Sequence, residues 1–403
     1  MNTIVANIAT LFPPSQHDRI FLVGGAVRDL LLGWEHTDID LVAALTGEEF
    51  AANGFRLVAG KTTAPIWFRH DTAFGTIEVT PLADVAELSG DLLRRDFTAN
   101  ALAMTLSGTI IDPLIGKADI EQRLLRACTP RTFLDDPLRI IRALRFEADG
   151  WRMVPGTADL ITGQTWEREQ AQIPAERFSR EMVKALAAPH PERFFERMRE
   201  FNVGENFLPE LFRMPAIPAG PPVHHPEGDL FTHSLQVLQR AAATTGDPLA
   251  RFCALFHDIG KLATSADLYP KHHGHDQTGF GMAPGFCQRL RLPAQYGTAL
   301  AWISRLHGTF NLWDQLRDGT KLRVAEQAIK AGIADLLPLV AAADKSSREE
   351  PDEWRTVVHI AGMSARELGI DLQQLEGMPP EKRPESILRA RLERLRTTRT
   401  VST

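Results

Sequence analysis

The sequence predicts an α/β domain with a mixed sheet and helices at its amino-terminal end, followed by an all-helical remainder. The stretch Phe21 to Asp40, FLVGGAVRDLLLGWEHTDID, is typical of a strand, a glycine turn, a helix and a returning strand. Short apolar runs at residues 56–59, 66–70 and 75–80 predict further strands. Beyond residue 129, helix caps and helical apolar spacing replace such runs.

Length and composition are those of a globular protein with several domains. The 403 residues are enough for roughly two to four domains, and 44% hydrophobic with 24% charged residues is ordinary. No apolar run approaches the ~18 residues of a membrane span, and residues 1–14 lack the basic start and cleavage site of a signal peptide. The three cysteines have no zinc-ligand spacing. We expect a cytoplasmic protein with no membrane partner.

The net charge of -6 does not indicate nucleic-acid binding, but a whole-chain sum hides local basic faces. Arg139, Arg142 and Arg145 recur every third residue on one predicted helix. The segment from Lys382 to Arg399 carries many more Lys and Arg than Glu. Each run predicts either an RNA-facing surface or a solvated face.

The glycine turn and the acidic pair after it suit a triphosphate and a metal ion. Gly24 and Gly25 let backbone amides approach a phosphate closely, and the following helix start favours an anion. Asp38 and Asp40 are two residues apart on a predicted strand, so their carboxylates share a face. Such a pair suits Mg²⁺ in a two-metal arrangement. Each feature alone is also typical of an ordinary turn or a solvated strand end.

Together, GGAVRD and DID resemble the signature of the class II tRNA nucleotidyltransferase and poly(A) polymerase family. The resemblance implies that Asp38 and Asp40 are catalytic and bind Mg²⁺, and that Gly25 and Arg28 contact the nucleotide. Glu78, in TIEVT, stands where the family has an acidic residue near the active site. An exposed strand charge is nearly as good an explanation for Glu78.

The block LLRRDFTANALAM extends the resemblance. Arginine forks pair with phosphate oxygens bidentately, so two in tandem suit a triphosphate. In the family this motif contacts the sugar and triphosphate, which implies nucleotide binding by Arg94, Arg95, Asp96 and Asn100. Residues 110–127 match a DPxxGxxDL segment of the family, and we interpret them as structural.

The segment FLDDPLRIIRALRF predicts a helix capped by Asp136, with Pro137 in its first position. A carboxylate can accept from a base amine and a guanidinium can donate to a base, so such a helix can read a Watson–Crick edge. The segment resembles the family's EDxxR templating motif, with Asp135 in place of Glu. This implies nucleotide contacts from Asp136, Arg139 and Arg142. A plain capped helix is the alternative.

The connection between the predicted strand that carries Glu78 and the motif Arg94-Arg95-Asp96, called the RRD motif, is short. Residues 79–93 contain three acidic residues and no basic one. In family members that complete the CCA end, a flexible loop rich in Gly and basic residues permits the switch from C to A addition, and its truncation resembles enzymes that add only C. We therefore expect C addition from CTP, with full CCA addition from CTP and ATP as the alternative.

A second constellation follows a Pro-rich linker predicted at residues 214–226. His233, His257, Asp258 and Asp344 have the order H, HD, D of the HD phosphohydrolase superfamily, which implies a metal site and hydrolysis of phosphoesters. Imidazoles with carboxylates suit a transition metal such as Ni²⁺ or Mn²⁺. Further histidines, at positions 272, 273, 275 and 307, are hard to explain as ordinary core residues but carry no individual assignment.

Before this linker, Glu176, Arg177 and Glu181 resemble the family's ERxxxE motif, which braces the neck and is typical of CCA enzymes more than of poly(A) polymerases. Up to about residue 350, nearly the full chain resembles bacterial tRNA nucleotidyltransferases with a fused HD domain, which implies tRNA, CTP and possibly ATP as partners. Poly(A) polymerase, and an HD phosphohydrolase with an RNA-binding head, are the alternatives.

We predict four parts. They are a nucleotidyltransferase head at residues 1–128, a helical neck with the templating motif at 129–213, an HD phosphohydrolase-like body at 214–350 and a helical tail at 351–403.

Overall fold

A computed structural model describes residues 3–34, 39–58, 65–72, 75–345 and 350–401. The chain forms two compact units, Met1–Gln170 and Ala171–Thr403. This division falls inside the predicted neck, and the four-part organisation stays a prediction. No helix in the described ranges has both the length and the apolar character that a bilayer crossing requires.

The first unit is built on a mixed sheet, as the sequence predicts. The strands are β1 Ile20–Val23, β2 Ile39–Ala43, β3 Arg56–Val58, β4 Ile66–Asp71, β5 Gly75–Pro81, β6 Ala103–Thr105, β7 Ile110–Ile111, β8 Leu124–Leu125 and β9 Arg152–Met153. Seven of them form one sheet in the order β3-β4-β5-β2-β1-β6-β7. In that sheet β2 and β5 are parallel, and the other neighbours are antiparallel. β8 and β9 form a separate parallel pair.

The remainder of the described chain is helical. The helices of the first unit are α1 Thr3–Ala9, α2 Gly25–Leu32, α3 Gly47–Ala52, α4 Leu88–Leu93, α5 Gly116–Gln122, α6 Thr132–Asp135, α7 Leu138–Ala148, α8 Pro155–Thr162 and α9 Glu167–Gln170. Those of the second are α10 Ala175–Ala187, α11 Pro191–Glu200, α12 Pro209–Arg213, α13 Leu230–Thr244, α14 Pro248–Phe256, α15 His275–Arg289, α16 Ala294–Phe310, α17 Asp318–Lys330, α18 Leu336–Lys345, α19 Trp354–Gly362, α20 Leu372–Gly377 and α21 Arg383–Val401. Short 3₁₀ helices occur at Pro14–Arg19, Val85–Glu87, Thr98–Asn100, Met214–Ala216, Ile259–Ala263, Ala266–Leu268, Trp313–Gln315 and Pro380–Lys382.

The short connection at residues 79–93 is folded onto the sheet. After β5 the chain makes a 3₁₀ turn and enters α4. Leu82, Leu88 and Leu92 are buried in one cluster with Phe21 and Val42 of the central strands. Because burial of three leucines holds the segment by the hydrophobic effect, it is anchored to the core along most of its length.

Residues 110–127 support the segment that follows RRD, in agreement with the structural role predicted for them. A Cβ atom on Gly116, the first residue of α5, would lie 2.1 Å from the carbonyl oxygen of Thr98, so only glycine permits this approach. The Thr98 hydroxyl donates to Asp119 at 2.6 Å, and Arg126 pairs with the same carboxylate at 3.1 Å. The helix therefore fixes the position of the Thr98 backbone.

In the second unit, α13, α14, α16 and α18 pack against one another, and α15 packs along α16. Phe256 contacts Phe286 with ring centroids 4.9 Å apart, and Phe252 stacks on Phe286. This aromatic core joins α14 to α15. It therefore orients the carboxyl-terminal end of α14, where His257 and Asp258 stand.

The basic carboxyl-terminal helix, α21, packs on α17 and α19. Arg399 pairs with Asp318 at 3.0 Å and with Glu353 at 2.6 Å. Arg391 lies 3.6 Å from Glu326. Part of the positive charge of this run is therefore neutralised inside the second unit.

Candidate functional site

The glycine turn between β1 and α2 brings a guanidinium and a carboxylate together. Gly24 has φ of +68°, and a Cβ atom there would lie 2.6 Å from Arg95 Nη1 and 3.9 Å from Asp40 Oδ2. A side chain would clash with the arginine and would strain the backbone. Glycine is therefore what lets Arg95 lie at the start of α2, close to the acidic strand.

Two carboxylates lie side by side on the sheet next to this turn. Asp40 of β2 pairs with Glu78 of the parallel strand β5, and both residues are exposed. Directly paired residues of neighbouring strands point to the same face. Asp38 lies outside the described residues. We call Gly24, Asp40, Glu78 and Arg95 the head site, and its carboxylate oxygens are the donors that Mg²⁺ prefers.

Four of the predicted nucleotide-binding residues bind one another in a polar network. Arg28 donates through Nε to Asp29 at 2.8 Å and through Nη1 to Asn100 at 2.6 Å. Asn100 donates to Asp96 Oδ1 at 2.9 Å, and Arg142 donates to Asp96 Oδ2 at 2.8 Å. The network therefore connects α2, which begins at the glycine turn, to α7.

Asp96 is charged in the middle of this network. Burial raises the pKa of its carboxyl, but the Arg142 guanidinium and the hydrogen bonds from Asn100 and the Phe97 backbone lower that pKa to about 2. Its exposure is only 6%. The carboxylate is therefore ionised at neutral pH and holds Arg142 in a fixed direction.

The start of α7 is tied to the RRD motif. Asp136 accepts from the backbone N–H of Leu138 at 3.1 Å, but regular helix begins at Leu138, so Pro137 precedes the helix and does not occupy its first position as predicted. The Arg139 guanidinium donates to the carbonyl oxygens of Thr132 at 3.1 Å and of Arg94 at 2.6 Å. Arg139 therefore joins the predicted base-reading helix to the motif predicted to bind the triphosphate.

The tandem arginines of the motif face different surroundings. Arg95 pairs with Asp91 at 3.0 Å and its side chain is 22% exposed. The Arg94 side chain is 73% exposed, with Asp91 at 3.7 Å. Arg95 therefore belongs to the glycine turn, whereas the Arg94 side chain extends into solvent.

The row of arginines on α7 is not a simple solvated stripe. Arg139 and Arg142 have the partners given above, and Arg145 pairs with Asp149 at 2.7 Å. Arg145 also stacks on Phe146, with 4.0 Å between Cζ and the ring centroid. All three side chains are therefore engaged within the first unit.

The ERxxxE residues lie on α10, where only one of the three is buried. Glu181 is 5% exposed, whereas Glu176 and Arg177 are exposed. Glu176 lies 3.8 Å from Arg291. The neck-bracing role of these residues stays a prediction.

The four residues of the HD pattern converge in the second unit, and we call them the HD site. His233 lies on α13, His257 and Asp258 directly follow α14, and Asp344 lies on α18. His233 Nε2 is 3.6 Å from Asp258 Oδ2 and 3.4 Å from Asp344 Oδ1. His257 Nε2 is 3.2 Å from Asp258 Oδ2. Donor atoms about 2.1 Å from a common ion lie roughly 3 to 3.5 Å apart, so this spacing suits a metal ion.

Hydrogen bonds at the outer ring nitrogens support a metal site. His233 Nδ1 lies 2.7 Å from Glu227 Oε1 and His257 Nδ1 lies 2.9 Å from the Ala254 carbonyl oxygen. Carboxylates and carbonyl oxygens only accept hydrogen bonds, so both Nδ1 atoms are the donors. In a neutral imidazole that is protonated at Nδ1, the Nε2 atom carries an unshared lone pair. Both Nε2 atoms are buried without a hydrogen-bond partner in the described structure. The lone pairs of these two Nε2 atoms face the carboxylates of Asp258 and Asp344, and a cation bound between these acceptors would satisfy both.

Glu227 is a site residue that the sequence analysis missed. Its Oε1 accepts from His233 and lies 2.9 Å from His225 Nδ1. It directly follows residues 214–226, which were predicted to be a linker, but Ala219 within them is fully buried. The position of Glu227 in the sequence does not predict its contact with His233, because that contact arises from the packing of residues 214–227 against α13.

Lys261 was also missed. Its ammonium donates to the Ala219 carbonyl oxygen at 2.6 Å and lies 2.6 Å from Asp258 Oδ2. Burial raises the pKa of Asp258, but the electrostatic interactions of its carboxylate with the His257 ring and the Lys261 ammonium lower it well below the usual range. The separation of three residues between Asp258 and Lys261 matches one helical turn and was a usable signal.

Comparisons with protein families cover most of the chain. The model of the poly A polymerase head domain matches residues 20–83 and 67–126. The model of the probable RNA and SrmB-binding site of polymerase A matches residues 169–214, and the HD domain model matches residues 230–348.

Similar full-length proteins agree with these matches. A multifunctional CCA protein of Methylococcus capsulatus is 34% identical over 415 residues, covering 96% of this chain and 97% of the relative. Another, of Teredinibacter turnerae, is 38% identical over 317 residues, covering 73% of this chain and 76% of the relative.

Solved structures support the fold. The CCA-adding enzyme of Bacillus stearothermophilus in complex with CTP superposes with a TM-score of 0.61 at 24% identity, covering 94% of both chains. The Thermotoga maritima CCA-adding enzyme complexed with tRNA gives a TM-score of 0.56 at 20% identity, covering 94% of this chain and 91% of that one.

Replacing Asp96 with Asn should remove a pH-dependent contribution to stability. Its pKa falls from 3.8 to about 2 on folding, which corresponds to about 2 kcal/mol of unfolding free energy. Because the folded-state pKa is the lower one, this contribution is complete above about pH 4 and is lost as the pH falls toward about 2. Urea unfolding of wild type and Asp96→Asn at about pH 7 and about pH 3 measures it.

The difference between the two proteins should narrow at the lower pH. Asp159→Asn, which changes an exposed aspartate of α8, is the matched control and should stay close to wild type. An equal difference at both pH values would mean that the Asp96 carboxylate is not preferentially ionised in the folded protein.

Proposed function

This chain belongs to the family of multifunctional CCA proteins, and from that premise we propose that it is a tRNA nucleotidyltransferase that adds C residues from CTP to the tRNA 3′ end. Pyrophosphate is the second product, and the reaction takes place in the cytoplasm. The observation that carries this proposal is the head site, where a glycine turn, a guanidinium and paired carboxylates lie together. A turn suited to phosphate, a positive charge beside it and carboxylate oxygens suited to a metal ion are thus brought together.

The chain's own residues divide the work of this reaction. The backbone at Gly24 and Gly25 and the start of α2 accommodate the triphosphate, and Arg95 supplies positive charge at the same turn. Asp38, Asp40 and Glu78 provide oxygen donors for Mg²⁺. Mg²⁺ held by these carboxylates would supply the Lewis acidity that activation of the tRNA 3′ hydroxyl and stabilisation of the leaving pyrophosphate require.

The residues at the start of α7 select the incoming base, as their resemblance to the EDxxR templating motif implies. Asp136 offers an acceptor and Arg139 donors for the edge of the incoming base. The polar network from Arg142 to Arg28 ties this helix to α2. It therefore holds the base-reading groups at a constant distance from the phosphate-binding turn, which is a requirement for selection by geometry.

Replacing Asp38 or Asp40 with Ala should abolish nucleotide incorporation while the fold is kept. Loss of one oxygen donor removes the geometry that the metal ions require, and we expect a loss on the order of a thousandfold or more. Single-turnover CTP incorporation, with circular dichroism for the fold, measures this. Glu48→Ala, on an exposed position of α3, is the matched control. A folded Asp40→Ala protein with near wild-type incorporation would remove this residue from the reaction.

We further propose that addition stops after the second C, or that the final A is added poorly. The segment at residues 79–93 is anchored by Leu82, Leu88 and Leu92, so it does not have the properties of the flexible basic loop that the family uses to re-aim the helix. Asp135, which replaces the family's Glu, pairs with Arg131 at 3.4 Å. Full CCA addition is the second candidate function, favoured by the CCA relatives.

Transcripts of tRNA lacking CCA, CA or A, each tested with CTP and with ATP, decide between these two. We expect two C additions, and addition of A to a CC end at least about a hundredfold slower. Grafting a longer loop rich in Gly and basic residues into positions 79–93 should restore A addition. Efficient A addition by the unmodified protein would show that it completes the CCA end.

For the HD site we propose hydrolysis of phosphoesters with a bound transition metal such as Ni²⁺ or Mn²⁺. The buried Nε2 atoms of His233 and His257, aimed at Asp258 and Asp344, support this. When bound, the metal ion would polarise a phosphoryl oxygen and lower the pKa of a bound water.

His257→Ala should lose bound metal and the hydrolysis of bis(p-nitrophenyl) phosphate. Metal analysis and this assay check it, and His359→Ala, exposed on α19, is the control. The head variant Asp40→Ala should hydrolyse normally, because the two reactions use separate sites. Unchanged metal content and hydrolysis in His257→Ala would exclude these residues from metal binding.

A further inference from the structure

Phe146 of α7 is contacted by positive charges from two helices. The guanidinium of Arg28, from α2, lies over its ring with 5.2 Å between Cζ and the ring centroid. The guanidinium of Arg145 lies over the same ring at 4.0 Å. The positive charge of a guanidinium is attracted by the negative face of an aromatic ring. One ring therefore binds a cation of the helix that begins at the glycine turn and a cation of α7.

Resting on the nucleotide addition proposed for the head, we propose that Phe146 is a positioning residue for the triphosphate of CTP. Its ring holds the guanidinium of Arg28 beside the glycine turn, where that group donates to phosphate oxygens. Phe146 is only 3% exposed, so it acts through Arg28 and does not itself touch the nucleotide.

The guanidinium of Arg28 lies against the glycine turn. A Cβ atom on Gly25 would lie 3.5 Å from Arg28 Nη2, which is van der Waals contact. Asp29 accepts from Nε at 2.8 Å and lies 2.7 Å from Nη2, and Asn100 accepts from Nη1 at 2.6 Å. A guanidinium has five N–H donors, so this group can also donate to phosphate oxygens at the turn.

The hydrogen bonds and the aromatic ring restrain different motions of Arg28. The N–H bonds lie in the plane of the guanidinium, so the acceptors Asp29 and Asn100 set the direction in which that plane points. They oppose tilting of the plane only weakly, whereas a ring packed on its face opposes tilting directly. Phe146 therefore fixes the orientation that the hydrogen bonds leave open.

Water is largely excluded from this arrangement. The side chains of Arg28 and Arg145 are only 14% and 15% exposed, and a cation–π interaction is stronger where the cation is desolvated. Asp29 pairs with the first guanidinium and Asp149 with the second, which reduces the repulsion between the two cations. Weakening the ring interaction should therefore weaken nucleotide binding by a measurable amount.

Two aromatic side chains fix the ring of Phe146 in turn. Phe97 and Trp151 each contact it edge to face, with 5.7 Å between the ring centroids. The backbone N–H of Phe97 donates to the Asp96 carboxylate at 2.8 Å, so the ring packs on the neighbour of the charged residue in the polar network. The close-packed core therefore sets the position of Phe146, and Arg28 lies against a rigid surface.

Fluorination of the Phe146 ring tests this proposal, because fluorine withdraws electrons from the face of the ring and changes its shape little. The full chain carries phenylalanine with one, two or three ring fluorines at position 146, and equilibrium dialysis measures the Kd for CTP in the presence of Mg²⁺. We expect the Kd to rise with each fluorine, by about tenfold in total. The kcat for C addition at saturating CTP should stay within about twofold of that of the unmodified protein, because binding is what the ring affects.

The same three analogues at Phe133 provide the matched control. Phe133 is 1% exposed, and its ring contacts Phe97 and Trp166, so fluorination at this position tests packing alone. We expect the Kd for CTP to stay close to that of the unmodified protein.

Each outcome has a separate meaning. A Kd that fluorine at Phe146 leaves unchanged, in a protein that still adds C, would overturn the positioning role and leave the proposed addition intact. An equal rise in the Phe146 and Phe133 series would also overturn that role, because packing would then be the cause. Absence of C addition by the unmodified protein would overturn the proposed function itself. If circular dichroism shows that the most fluorinated protein fails to fold, the other two analogues supply the comparison.

Discussion

The ion pair between Asp96 and Arg142 is the interaction on which the geometry of the first unit depends. The two residues are 46 positions apart, and Asp96 is buried with its pKa lowered to about 2. A buried charge is tolerated only with its partner in place, so the pair imposes one relative position on the RRD motif and α7. Asn100 and Arg28 extend this constraint to the glycine turn. The helix proposed to read the base and the turn proposed to bind phosphate are therefore spaced by one continuous set of hydrogen bonds.

Asp258 plays the corresponding part in the second unit. It is buried, it carries its charge at the end of α14, and the side chains around it come from α13, α15, α16 and the adjacent turn. Each of its two oxygens faces its own pair of histidines. Both units thus use one buried carboxylate to position polar groups that are far apart in sequence, and in both cases the surrounding apolar core supplies the low dielectric that makes the geometry strict.

In the reaction proposed for the head, nucleotide choice depends on the mobility of residues 79–93 as well as on contacts with the base. A loop that re-aims a helix must detach from the core at low cost, whereas burial of three leucines at residues 79–93 opposes detachment by several kcal/mol. The same burial stabilises the sheet. Under the proposed addition of C only, the three leucines that stabilise the head also limit its choice of nucleotide.

The sequence by itself determined the local elements and the order of the motifs. The strand–turn–helix at Gly24 and the helix that follows Asp136 are visible because propensity, capping and periodicity act over a few residues. The HD order was identified by its resemblance to a known family. Only the tertiary structure decided which partner each polar side chain takes. It placed Glu78 beside Asp40, tied Arg139 to the Arg94 carbonyl 45 positions away, and brought His275 and His307 to Asp258. These pairings arise from the packing of whole helices and strands, and no spacing along the chain encodes them.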